Sequence, residues 1–189
     1  MRVGIFGGSF DPVHDGHLEC ARFVFKQRNL DKLIFIPAYI SPLKQDINSA
    51  PPEHRIKMLD LAISGLPGFS ISDFEIINRG VSYTFDTVTY FKNLYDEIDL
   101  IIGYDNLVVF EKWHKPDELL TLCNLIVLRR NTDKEFGKNK YFTKAVFLES
   151  PVIDLSSTEV RNKISNNQAV NGLVPEKVIE YIITNKLYI

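Results

Sequence analysis

Cysteine is scarce in this chain. Cys20 and Cys123 are the only two, far apart in sequence, and they make no disulfide framework. An excess of charge of one sign is also missing. Lys and Arg number 22 against 24 Asp and Glu, for a formal net charge of −2, and no run of like charges stands out. That balance lacks the electrostatic footprint of a nucleic-acid binder and offers no tail for a membrane or polyanion. No apolar stretch approaches the roughly 18 residues that a membrane helix needs. The first residues enter an apolar run at once, without the charged segment, apolar segment and cleavage site of a signal peptide. These absences predict a soluble, cytoplasmic chain that handles a small ligand, with neither nucleic acid nor membrane as partner.

What is present is enough for a core. With 189 residues, 45% of them hydrophobic, the chain is expected to form one domain over residues 1–189. Val3 to Phe6, Leu33 to Ile36, Leu100 to Ile102, Leu125 to Leu128 and Val146 to Leu148 are short apolar runs that suit strands buried on both faces. Between them lie segments with helical spacing: Leu18, Ala21 and Phe25; Ile56, Leu59 and Ile63; Val88, Phe91 and Tyr95. A last helix is expected from Pro175 to Asn185. This alternation predicts a Rossmann-like, doubly wound α/β fold: a mostly parallel sheet with helices on both faces and ligands beyond the strand carboxyl ends. Residues 37 to 52, with four prolines, read as a long loop carrying Lys44, and residues 131 to 144 as a polar surface excursion.

At the end of the first strand stands Gly7-Gly8-Ser9-Phe10-Asp11-Pro12-Val13-His14-Asp15-Gly16-His17. Small residues there let backbone N–H groups approach a ligand, and the following helix start adds unpaired donors and about half a positive charge. His14 and His17 share a helical face, and Gly16 between them leaves room for a flat ligand. A histidine pair could also be a surface pair or half a metal site. Zinc, however, normally takes a third protein ligand, and only His54 and His114 remain. No metal-binding protein residues are therefore expected. The G-x-G-x-x-G spacing of dinucleotide-binding redox proteins is missing too, because the glycines stand at 4, 7, 8 and 16.

A second cluster, Ser156-Ser157-Thr158-Glu159-Val160-Arg161, follows far downstream. Ser156 or Ser157 can cap the next helix, and Arg161 falls on the face of Ser157 and Thr158. Alone it reads equally as an ordinary cap with a surface arginine. Two helix starts ready for anions in one small domain suit a ligand with several phosphates, as a nucleoside triphosphate has.

Together these two clusters resemble the paired signatures of the nucleotidyltransferases that carry an HxGH motif. Arg79-Gly80-Val81-Ser82-Tyr83-Thr84-Phe85-Asp86-Thr87, and Ile101-Ile102-Gly103-Tyr104-Asp105-Asn106 with Trp113 following, narrow the resemblance to the bacterial nicotinate mononucleotide adenylyltransferases. The matches run in family order from Gly7 to Arg161.

The resemblance implies adenylyl transfer from ATP to nicotinate mononucleotide, giving nicotinate adenine dinucleotide and pyrophosphate by direct in-line attack of the mononucleotide phosphate on the α-phosphorus. It implies that His14, His17 and Arg161 are catalytic. Gly7, Gly8, Ser9, Phe10, Gly16, Gly103, Asp105, Ser157 and Thr158 would join them around ATP, with Mg2+ arriving on the phosphates. Lys44, Thr84, Asp105, Trp113 and His114 would take the acceptor, the indole stacking on the pyridine ring. A helix N-cap is an equally good reading of Asp105. His114 stands where relatives often carry Tyr. Rival readings are the same chemistry on phosphopantetheine or nicotinamide mononucleotide, and a non-catalytic dinucleotide-binding protein.

Overall fold

The computed structural model describes residues 1–40, 49–129, 139–149 and 155–189. Among them six strands form one sheet: β1 (Arg2–Gly8), β2 (Lys32–Pro37), β3 (Phe69–Ile71), β4 (Glu97–Gly103), β5 (Asn124–Arg129) and β6 (Ala145–Glu149). All five pairings are parallel and the order is β3-β2-β1-β4-β5-β6. The chain winds outward from β1 to β3, then returns to the other side of β1 and winds outward again. The strand order therefore reverses between β1 and β4, and a crevice opens beyond their carboxyl ends.

Eight helices flank the sheet in the described residues: α1 (Asp15–Gln27), α2 (Pro52–Ile63), α3 (Phe74–Asn78), α4 (Thr84–Lys92), α5 (Tyr104–Val108), α6 (Pro116–Leu122), α7 (Ser157–Ser165) and α8 (Glu176–Thr184). Alternation along the strands divides the core in two. Phe6, Leu33, Phe35 and Ile101 meet Leu18 and Ala21 of α1, Met58 and Leu59 of α2, Val160 of α7 and Val178 of α8. Val3, Ile5, Ile34 and Leu100 face the opposite way, onto Val88 and Phe91 of α4, Leu107 of α5 and Leu119 of α6. A strand buried on both faces must read as an unbroken apolar run, and these do. No described helix is long and apolar enough to cross a membrane.

One charge lies wholly inside this frame. Asp99 of β4, with no exposed surface, accepts Arg28 Nε at 2.8 Å and Asn124 Nδ2 at 2.8 Å.

The structure departs from the sequence expectations in three places. β3 carries only three half-buried residues, so its edge position leaves no apolar run to read. Tyr141, in the supposed surface excursion, is 2% exposed and packs on Phe110 at 5.0 Å between ring centroids. Asn139 fastens that segment by donating to the Leu107 carbonyl at 2.7 Å. Finally, Asp105 is not an N-cap. Gly103 takes that place, and Asp105 is the second residue of α5.

Candidate active site

A cavity of about 860 Å³ lies over the carboxyl ends of β1 and β4. Gly7, Gly8, Ser9, His14, Gly16 and His17 line it from the first cluster, and Ser157, Thr158 and Arg161 from the second. Thr84, Gly103, Asp105, Trp113 and His114 complete the wall. Residues some 150 positions apart in sequence thus face one space. Two expected residues are not among them. Lys44 lies outside the described residues. Phe10 does not line the cavity: it is 1% exposed, with its ring against Phe6, Phe35 and His17. The turn that follows β1 holds Phe10 at φ 48°, a left-handed conformation that costs a non-glycine residue energy, and this swings the ring into the core. Its role is to support the loop.

The floor is backbone. A Cβ added to Gly7 or Gly103 would meet no protein atom within 4 Å, so only the cavity would receive it. Their lack of side chains leaves the peptide groups of both strand ends open to a ligand.

His14 caps α1 in an extended conformation and is 4% exposed. The imidazoles of His14 and His17 stack with centroids 3.7 Å apart. The His14 backbone N–H donates to His17 Nδ1 at 3.3 Å. An Nδ1 that accepts carries no proton, so the neutral ring bears its proton on Nε2.

The second cluster is bonded to the first. Ser156 caps α7, accepting the Glu159 N–H at 3.1 Å. The Ser157 hydroxyl donates to the Pro12 carbonyl at 3.0 Å, and Arg161 Nη1 donates to the Asp11 carbonyl at 2.8 Å. The start of α7 is thereby held against the loop that leads into α1. Both helix N-termini open on the same end of the cavity.

Behind this loop lies a polar hub that sequence reasoning missed. Asp11, 1% exposed, accepts the Ala50 N–H at 3.0 Å and the Tyr188 hydroxyl at 2.6 Å, both on Oδ1. Arg55, 3% exposed and lining the cavity, donates to the carbonyls of Ser9 at 2.8 Å and Ala50 at 3.1 Å. Burial draws its guanidinium below the ordinary value, with Asp11 opposing the shift. A signal for Arg55 existed, since it lies three and four residues before Met58 and Leu59, on the face of α2 that is buried. For Tyr188, 177 residues from Asp11, there was none.

The other end of the cavity is aromatic. Thr84 is the first residue of α4, where backbone N–H groups have no intrahelical acceptor. His114 packs on Tyr83 at 4.6 Å between centroids, and Trp113 packs on Phe110 at 4.8 Å. Glu75, also missed, lines the wall between and accepts the Thr87 hydroxyl at 2.6 Å. Burial raises its carboxyl above the usual range, opposed by bonds from Thr87 and Ser82. Ser82 in turn accepts the Tyr39 N–H at 2.9 Å, which ties the start of α4 to the end of β2.

Comparison with known proteins identifies the chain's relatives. The cytidylyltransferase-like family model matches residues 5–163. A probable nicotinate-nucleotide adenylyltransferase of Caldicellulosiruptor saccharolyticus is 41% identical over 196 aligned positions, covering 100% of this chain and 99% of the relative. Its counterpart from Clostridium botulinum is 40% identical, covering 99% and 98%. In fold, the chain is similar to the Plasmodium falciparum nicotinic acid mononucleotide adenylyltransferase solved with NaAD, at a TM-score of 0.80 and 19% identity over 99% of this chain and 97% of that one.

Proposed function

The chain belongs to the cytidylyltransferase-like family, and from its relatives and its cavity we infer that it transfers the adenylyl group of ATP to nicotinate mononucleotide. The products are nicotinate adenine dinucleotide and pyrophosphate, a step of NAD biosynthesis. One observation carries the assignment of the site: two helix N-termini, bonded to each other through Ser157 to Pro12 and Arg161 to Asp11, face one end of a cavity whose other end holds the Thr84 helix start and Trp113.

A 5′-phosphate dianion is already a nucleophile. Its oxygen forms the new bond to the α-phosphorus while the bond to the bridging oxygen of the β-phosphate breaks, and the electron pair leaves with pyrophosphate. The protein needs no base for this. Its work is alignment and charge stabilisation. His17, with its proton on Nε2, donates to the α-phosphate as negative charge builds there. His14 fixes that tautomer through its N–H and buttresses the ring by stacking.

The β- and γ-phosphates lie at the start of α7, on Arg161 and Thr158. The Ser157 hydroxyl is spent on Pro12, so Ser157 serves ATP through its backbone N–H. Gly7, Gly8, Ser9, Gly16 and Gly103 let the nucleotide lie against the floor, and Asp105 faces a ribose. Nucleotidyltransferases of this kind use Mg2+ with ATP. We treat it as part of the substrate, held by phosphate oxygens. The nicotinate carboxylate takes N–H groups at Thr84 and after Trp113, at His114, with the indole over the pyridine ring. Lys44 would reach the acceptor from the segment after β2.

The test is an acceptor panel. Purified protein is mixed with ATP, Mg2+ and nicotinate mononucleotide, nicotinamide mononucleotide or 4′-phosphopantetheine, and pyrophosphate and the nucleotide product are quantified. Nicotinate adenine dinucleotide is expected as the main product. Turnover on phosphopantetheine but not on nicotinate mononucleotide would overturn the acceptor, and no pyrophosphate with any of them would overturn the reaction.

A further inference from the structure

We propose that Tyr188 is a positioning residue for adenylyl transfer, holding Asp11 so that its carboxylate does not capture the phosphate-binding Arg161. The proposal rests on the reading of this cavity end as the ATP phosphate site.

Asp11 meets Arg161 in two ways. Its backbone carbonyl accepts Nη1 at 2.8 Å, whereas its carboxylate Oδ2 forms only a longer ion pair with the same nitrogen, at 3.5 Å and short of a close bidentate bond. The carboxylate is kept at that distance from the far side. Oδ1 accepts both the Tyr188 O–H at 2.6 Å and the Ala50 N–H at 3.0 Å. Those two donors set the plane of the carboxyl group, and the plane sets where Oδ2 stands.

Tyr188 is built to stay a donor. Its burial and the neighbouring Asp11 charge push the phenol far above its ordinary range, so the O–H persists at any working pH. Its backbone, at φ 64°, is in the left-handed region, and Leu187 before it is fixed by an N–H to the Ile182 carbonyl at 3.0 Å. A strained residue held by its neighbours and aimed at a single buried carboxylate is an arrangement that local packing alone does not demand.

Without the hydroxyl, Asp11 keeps one donor on Oδ1 and can turn to pair side-on with the guanidinium. Arginine and carboxylate favour that bidentate geometry. Arg161 would then be drawn toward Asp11 and away from the triphosphate. The loss should fall on ATP and spare the acceptor, which binds at the far end of the cavity.

The experiment compares wild type, Tyr188→Phe, Asp11→Asn and the double variant. Each is measured for KM of ATP, KM of nicotinate mononucleotide, Tm, and ATP affinity by calorimetry without acceptor. Tyr188→Phe is expected to weaken ATP at least five-fold in both measures, with acceptor KM within two-fold of wild type. In the Asp11→Asn background the same change should have no effect on ATP affinity, because a neutral amide has no charge with which to capture Arg161. Unchanged ATP affinity in Tyr188→Phe overturns the proposal. So does an equal loss for ATP and acceptor, or a loss that persists undiminished beside Asp11→Asn, since either marks a merely structural hydroxyl. A wild type that binds ATP but transfers nothing would instead sink the reading of the reaction, leaving the calorimetric comparison to judge Tyr188.

Discussion

The His14 backbone N–H donates to Nδ1 of His17, on a ring stacked against its own imidazole. A single bond within one helix turn thereby leaves the Nε2 of His17 as the donor that, in the proposed function, meets a phosphate. A fixed donor of this kind, aimed at charge that develops in the transition state, is worth about 10² to 10³ in rate. His17→Ala should lower kcat by at least about 10². Its Tm should stay near that of wild type, since the ring faces the cavity. A folded variant with near-normal turnover would make His17 structural.

In the proposed function Trp113, which lines the cavity, offers the pyridine an aromatic face. Base-like stacking contributes about 1 to 3 kcal/mol, so Trp113→Ala should raise acceptor KM by about 5- to 150-fold and leave ATP KM nearly unchanged. Steady-state kinetics with each substrate varied in turn checks this. A rise confined to ATP KM would put the pyridine elsewhere.

If the acceptor binds at the Thr84 helix start as proposed, its backbone N–H groups favour an acid over an amide, because a carboxylate accepts from every donor there whereas a carboxamide brings donors of its own. Nicotinate mononucleotide should therefore exceed nicotinamide mononucleotide in kcat/KM. Equal values for the two would refute acid selection at this helix start.

Glu75 predicts a pH signature in stability. Burial raises its folded pKa above the unfolded value of 4.5, so folding favours the protonated acid. Below that unfolded value the group costs the fold nothing, and the cost grows as pH climbs toward the folded pKa. Glu75→Gln keeps an acceptor for Thr87 and removes the charge. It should match or exceed wild type in Tm at pH 7.5, with the difference shrinking as pH falls toward 4.5. A difference that does not vary with pH would mean that Glu75 is no more protonated in the folded than in the unfolded chain.

Asp99 and Arg28 give a control remote from the cavity. Breaking a buried pair by removing one partner costs about 3 to 5 kcal/mol, and this pair falls toward the lower end because the Arg28 side chain is 20% exposed and Asp99 keeps the Asn124 amide. Arg28→Ala should lose about that much stability in denaturant unfolding. Its kcat/KM at a temperature where it is folded should be unchanged. A matching fall in kcat/KM would tie this end of the sheet to the site.

Strands β1, β2, β4 and β5 could be read from the chain because burial on both faces leaves a short apolar run, and the half-exposed edge strand β6 still shows one in Val146-Phe147-Leu148. The edge strand β3 could not, since one of its three residues is Ser70 and its outer side has no partner strand. The site was legible where its residues are contiguous, as from Gly7 to His17, or where a helix start marks them, as at Ser157. It was illegible where function rests on contacts made only by folding. The burial of Arg55 could be read from its place on the inner face of α2, but not its reach to the Ser9 carbonyl across 46 positions, and nothing local announced that Tyr188 would reach Asp11 across 177. The burial of the Phe10 ring was illegible for a related reason: the motif gives its position, but its left-handed backbone shows only in the fold.

The bare floor at Gly7 and Gly103 bears on inhibitor design. A compound that draws its affinity from those peptide groups touches atoms that every residue type shares, and a Cβ placed at either glycine to exclude it would enter the space that the nucleotide also needs, so escape there is costly and discrimination small. A compound that reaches instead into the ring cluster of Tyr83, Trp113 and His114 meets side chains, which confer selectivity and can also mutate away. Linking the two trades breadth against escape, and the length of the cavity between β1 and the start of α4 sets the size of the molecule that can do both.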